Sequence, residues 1–163
     1  MRKDIKLYNI IFPVWALYMV PFLWVIILPA NFIFDSIVIL VAFVFLKIEN
    51  RKAIYKRLIF KVWGLGFAAD LLGGICMMIM LGFTDDFTNG KYRDLHYDPA
   101  TYPVGFIVIT VSVVISGILI YMFNYYGHFK ELDIEQGQKR KLALALAITT
   151  APYLMFLPTE MLY

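Results

Sequence analysis

Long apolar stretches separated by short polar segments dominate the chain. A membrane-spanning helix needs about 20 consecutive apolar residues, and several stretches reach or exceed that length. The pattern predicts an all-α polytopic integral membrane helix bundle in which residues 1–163 form a single transmembrane domain. We expect five transmembrane helices, at about residues 7–28, 32–46, 58–83, 104–125 and 142–157.

The polar segments indicate where these helices end. Residues 29–31, Pro-Ala-Asn, predict a tight break between the first two helices, because proline and asparagine interrupt helices. Asp35 then lies in the first turn of the second helix, where the helix dipole favours a carboxylate. Residues 47–57 and 127–141 are expected to be loops on one side of the membrane, and residues 84–103 a longer loop on the other.

The fifth stretch is the least regular, because it is short and contains Pro152. We expect it to cross the membrane, since neighbouring helices can satisfy the carbonyl group that a proline frees. If it does not cross, the chain has four spans, and both termini lie on the same side of the membrane.

The distribution of basic residues predicts the orientation. Lysine and arginine concentrate in cytoplasmic loops of membrane proteins. With the N-terminus in the cytoplasm, Lys91 and Arg93 are the only two of the 15 basic residues that lie outside. Five spans then place the C-terminus outside. The basic segments follow from this topology, so no nucleic-acid partner is expected.

Composition supports the membrane assignment. The chain is 61% hydrophobic, against about 45–50% in an ordinary soluble domain. Its one cysteine, Cys76, excludes an intrachain disulfide. We expect an integral protein of a bacterial cell membrane, with the lipid bilayer as its first partner.

Asp70 is the most informative residue, because it lies near the middle of the third apolar stretch without a nearby basic residue. Acidic residues at this depth are costly and usually face protein or water. On a helix, Asp70 shares its face with Gly66, Gly73 and Gly74, which would let another helix approach closely. With no positive partner, the charged form of Asp70 is disfavoured.

Hydroxyl groups recur at a similar depth on other predicted helices. If the helices turn them inward, they line one binding site with the carboxyl group: Asp70, Tyr18, Ser112, Ser116 and Thr149. Such a site would take a proton, a cation or a cationic substrate. The alternative is a neutral Asp70 that makes only a hydrogen bond between helices.

The outer loop offers a second candidate site, for a metal ion. Carboxylates and histidine are ligands for divalent cations, and the loop holds Asp85, Asp86, Asp94, His96 and Asp98. Their spacing matches no known ligand pattern. We therefore favour a solvated loop without a metal ion.

Small residues at four-residue spacing predict close contacts between helices: Ser112 and Ser116 on the fourth stretch, and Ala143, Ala147 and Ala151 on the fifth. Packing inside the bundle is favoured over a face for a partner. So small a bundle nevertheless suggests a homo-oligomer or association with another membrane subunit.

These features lead to a transport-related protein or transporter subunit as the first functional hypothesis, with Asp70 as its binding group. A non-catalytic accessory, assembly or immunity-type subunit of a larger membrane complex is the alternative. An intramembrane enzyme acting on lipid comes third, because the sequence offers neither a nucleophile with a general base nor a set of catalytic metal ligands. We accordingly expect no catalytic residues and no cofactor.

Overall fold

A computed structural model describes residues 21–89 and 102–156, and the described part is helical throughout, without strands. The first two helices are α1, Pro21–Phe45, and α2, Arg51–Phe87. Helix α3, Pro103–Met122, continues into a π-helical turn, Phe123–His128, and a 3₁₀ turn, Phe129–Glu131. Helix α4, Gln136–Thr149, is followed by a second 3₁₀ turn, Tyr153–Phe156.

Three of these helices are long and apolar enough to cross a membrane: Leu28–Phe45 within α1, Arg51–Phe87, and Pro103–Glu131. The last two contain the predicted spans 58–83 and 104–125. Helix α2 has 37 residues and is about 55 Å long, which exceeds the roughly 30 Å hydrocarbon core. The count of five spans and the placement of the termini stay predictions, because they also involve residues outside the described ranges.

Helix α1 differs from the expected break at residues 29–31, because it runs without interruption through Pro29. Proline inside a helix removes one backbone hydrogen bond, a loss that membrane helices tolerate when neighbours compensate. The carbonyl oxygen that Pro29 leaves free is that of Val25, four residues earlier. Trp63 of α2 donates its indole N–H to a nearby acceptor, the carbonyl oxygen of Leu28, at 3.0 Å, and so holds this part of α1 against α2. Phe32 packs on the same indole ring, with 5.9 Å between ring centroids.

The fifth apolar stretch also differs from the expected continuous helix. Helix α4 begins at Gln136, has 14 residues and is about 21 Å long, so it is shorter than the hydrocarbon core. It ends before Pro152, which has no N–H for the carbonyl oxygen of Ile148. The hydroxyl of Tyr153 donates to that oxygen instead. Ala151 and Pro152 are buried, so this non-helical backbone is covered by protein.

The core consists of two apolar clusters with a polar layer between them. One cluster joins α1, the first half of α2, the end of α3 and α4, and it includes Phe43, Leu58 and Leu146. The other joins the second half of α2, the start of α3 and the segment after α4, and it includes Met77 and Ile109. Asp70 follows Ala69 of the first cluster and precedes Met77 of the second, so it lies where the two meet.

Helices α2 and α3 approach each other closely at this layer. A Cβ atom added to Gly73 would lie 1.8 Å from Ser116 Oγ and 3.2 Å from the backbone oxygen of Ser112. Only glycine fits at this position. Ser112 and Ser116 are fully buried. The expected close contact between the glycine face of α2 and small residues of another helix is therefore present.

Replacing Gly73 with alanine should lower the free energy of unfolding by about 1–2 kcal/mol, because the added methyl group overpacks the contact with α3. The measurement is helix content by circular dichroism in detergent micelles as the fraction of SDS increases. Gly64→Ala is the matched control, since nothing lies within 4 Å of a Cβ atom there. Equal stability of the two variants would contradict the close contact.

Candidate functional site

Asp70 is buried in the polar layer, as expected for a carboxyl group on a glycine-lined face of α2. Only 5% of the residue is exposed. Its Oδ1 atom is fully buried and has no hydrogen-bond partner within residues 21–89 and 102–156. Leaving a buried acceptor unpaired costs about 1–3 kcal/mol, and more when it carries charge. Such a group is a reason to look for a ligand.

A second buried carboxyl group, that of Asp35, comes from α1. Asp35 is also 5% exposed. A Cβ atom placed on Gly66 would lie 3.6 Å from Asp35 Oδ2. Because Gly66 is one helical turn before Asp70, the two carboxyl groups are neighbours across the contact of α1 with α2.

Sequence reasoning missed this pairing for a specific reason. It placed a break at residues 29–31, which put Asp35 near a helix end where a carboxylate needs no partner. In the continuous α1, Asp35 is fourteen residues after Pro21 and ten before Phe45, so it lies in the helix interior. Gly66 was an available signal, since a small residue one turn from Asp70 leaves room for another side chain.

The two serines lie in the same layer but bond elsewhere. Ser116 Oγ donates to the backbone oxygen of Ala69 at 3.3 Å, which joins α3 to α2 beside Asp70. Ser112 Oγ donates to Val108 in its own helix at 2.9 Å. Both hydroxyl hydrogens are therefore engaged by backbone oxygens, and neither is left to satisfy a carboxylate.

Basic side chains do not compensate the pair. Within residues 21–89 and 102–156 the structure shows one ion pair, between Arg57 and Glu131 at 3.5 Å, and both of its side chains are at least half exposed. Lys139, a buried lysine, donates to the backbone oxygen of Lys130 at 3.1 Å. Among residues 21–89 and 102–156, neither Asp70 nor Asp35 forms an ion pair with a basic side chain.

One other predicted site residue, Thr149, does not lie in this layer. Thr149 is exposed at the end of α4 and donates to Ala145 of its own helix at 2.7 Å. Its exposure separates it from the buried carboxyl groups. Tyr18 lies outside the described residues. Of the proposed set, the structure brings together Asp70, Ser112 and Ser116.

Two of the five residues predicted as candidate metal ligands lie in the described part of the structure. Asp85 and Asp86 lie in the last turn of α2, whereas Asp94, His96 and Asp98 lie outside the described residues. Among the residues that the structure describes, no group of three or more His, Cys, Asp and Glu side chains is arranged to hold a metal ion.

Comparison with protein-family models, with curated proteins and with solved structures finds no match. The chemistry of the site therefore has to be inferred from its own residues. Two buried carboxyl groups without a positive partner favour either a bound proton or a bound cation, because ionising both in an apolar surrounding is unfavourable.

Replacing either aspartate with asparagine should show that the carboxyl groups interact. At alkaline pH, Asp35→Asn and Asp70→Asn should each raise the free energy of unfolding, since each removes the same repulsion between like charges. The double variant should gain less than the sum, with a coupling of about 1 kcal/mol. Unfolding in SDS-containing micelles measures all four proteins. Asp133→Asn, at an exposed linker position, is the control, and strict additivity would contradict the interaction.

Proposed function

We propose that this is a small transport-related membrane protein or transporter subunit, in which Asp70 binds a proton, a cation or the cationic group of a substrate. The observation that carries the proposal is the pair of buried carboxyl groups, Asp35 and Asp70, with the unpartnered Oδ1 atom of Asp70. A positive ligand would supply what the described residues do not, a counter-charge inside the bundle.

The surroundings of the pair support a monovalent ligand. Two carboxyl groups provide four oxygen atoms and a charge between zero and minus two, which one proton or one monovalent cation partly neutralises. The space beside Asp35 is small, because a methyl group on Gly66 would already be in van der Waals contact with Asp35 Oδ2. A proton, a small ion or a single ammonium group suits that space better than a bulky cation.

The interrupted helix near the layer is a second supporting feature. Helix α4 ends at Thr149, and the buried, non-helical residues Ala151 and Pro152 follow. Non-helical backbone at membrane depth is tolerated where it is covered by protein or lines a cavity, and transporter sites are often built beside such breaks. Met155, past the break, reaches to within 3.8 Å of a Cβ atom placed on Gly74.

The competing hypothesis is an accessory, assembly or immunity-type subunit, which would need no ligand at Asp70. Ala147 is buried against α3, and its backbone oxygen lies 3.3 Å from a Cβ atom placed on Gly117. The alanine face therefore packs inside the bundle, and enlarging Ala147 would disturb that packing. Stoichiometric co-purification of a second protein, with no ion flux by the chain alone, would favour the accessory role.

Proton flux into liposomes tests the proposal directly. The purified protein is reconstituted with a pH-sensitive dye inside, and a potassium gradient with valinomycin sets the membrane potential. Wild-type protein should acidify the interior faster than protein-free liposomes. Asp70→Asn should reduce the protein-dependent rate at least tenfold, because an amide cannot exchange the proton.

Asp133→Asn is the matched control, since it removes an exposed carboxyl group outside the layer and should retain the wild-type rate. If protons do not move, the same preparation is tested for stabilisation by sodium, potassium and methylammonium, which should raise the unfolding temperature of wild type but not of Asp70→Asn. Wild-type flux or stabilisation in Asp70→Asn would overturn the proposal.

A further inference from the structure

A separate groove runs between α3 and α4, away from the carboxyl pair. Its walls are almost entirely apolar, with Val114, Gly117 and Ile118 on α3 and Leu144 and Ile148 on α4. Gly117 forms part of its floor, where α3 lies close to the backbone of Ala147. Ile118 and Ile148 are more than half exposed. Within a membrane, this groove faces the acyl chains of lipids.

The groove matches one leaflet of a bilayer in length. Helices α3 and α4 run antiparallel, since Tyr125 bonds to Gln136 near one end and the ring of Phe156 lies 5.2 Å from that of Phe106 near the other. The lining extends along α3 from Tyr121 to Thr110. Eleven helical steps cover about 16 Å, which is about half of the hydrocarbon core.

Arg140 supplies a positive charge at one end of the groove, on the same side as Tyr121. The residue is exposed, and the structure shows no acidic partner for it within the described ranges. A guanidinium group binds phosphate oxygens through two parallel hydrogen bonds, so it recognises phosphate more specifically than a lysine does. A basic side chain beside an apolar groove is a recurrent arrangement for anionic lipid headgroups.

We propose that this groove binds one anionic phospholipid, with an acyl chain along α3 and α4 and the phosphate group at Arg140. A phospholipid matches both features, because it joins a leaflet-length apolar chain to a phosphate. A helix from a second copy of the chain would fill the apolar part, whereas a phospholipid also brings the negative group that pairs with the guanidinium. The inference concerns a different surface from Asp70 and does not depend on the proposed transport function.

Native mass spectrometry of the intact protein released from detergent micelles tests the site. Phosphatidylglycerol and phosphatidylcholine with identical acyl chains are added in equal amounts. Wild type should retain phosphatidylglycerol preferentially, as a one-to-one complex. Arg140→Gln should lower phosphatidylglycerol retention about fivefold, because one basic contact is lost. Phosphatidylcholine retention should fall less, because its choline group carries a positive charge that offsets the attraction of its phosphate for Arg140.

Lys141→Gln is the charge-matched control, since Lys141 is an adjacent exposed cation that does not line the groove. It should retain phosphatidylglycerol as wild type does. Ile148→Trp should lower retention of both lipids by filling the groove, whereas Ile107→Trp, at an exposed position of α3 outside it, should not. Circular dichroism checks that each variant is helical, and Leu144→Phe replaces Ile148→Trp if that variant does not fold.

Three results would overturn the inference. Equal losses in Arg140→Gln and Lys141→Gln would show general attraction between charges in place of a defined site. Equal retention of the two lipids by wild type would show that the groove does not select an anionic lipid, because both lipids carry a phosphate group. A lipid-free dimer that Ile148→Trp dissociates would show that a second copy of the chain occupies the groove.

Discussion

The contact of α2 with α3 at Gly73 is the constraint on which the rest of the bundle depends. Lipid tails are as apolar as the helices, so close packing and hydrogen bonds hold membrane helices together. At Gly73 the two helices meet with no room for a side chain, and Ser116 reaches the backbone of α2 at Ala69. This contact turns the face of α2 that carries Asp70 toward protein. The carboxyl group is therefore buried in the layer between the two apolar clusters.

Burial of Asp70 would be inexpensive if the neighbouring helices offered donors, but the described neighbours do not. The hydroxyls of Ser112 and Ser116 donate to backbone oxygens, and the group that α1 brings to this face of α2, beside Gly66, is a second carboxyl group, that of Asp35. A core selected for stability alone would be better served by apolar side chains, which often replace buried polar groups without loss. Two carboxyl groups from two helices at one layer therefore weigh against Asp70 being only a packing contact.

Some of this arrangement could be predicted from the sequence, and the exceptions have identifiable causes. Apolar length predicted the helices that became α2 and α3, and glycine spacing predicted the contact at Gly73. The positions of the helix breaks were harder to predict, because one proline lies inside a continuous helix and another follows a helix end. Pro29 stays within a helix where Trp63 donates to the adjacent backbone, whereas Pro152 follows a helix end. Whether a proline breaks its helix depends on residues of neighbouring helices, which a local sequence pattern does not contain. The proximity of Asp35 to Asp70 depends on the same kind of contact between helices.

The end of α4 connects two parts of the molecule, the layer of the carboxyl pair and the groove between α3 and α4. Gly117 lies opposite Ala147 and Phe106 lies opposite Phe156, so the break at Ala151 and Pro152 is level with the stretch of α3 that carries Ser112 and Ser116. The backbone there lacks the regular hydrogen bonds of an α-helix, so a rearrangement costs less free energy than it would in a continuous helix. The interruption thus lies at the depth of the carboxyl pair, where binding and release of a positive ligand would require the packing to change.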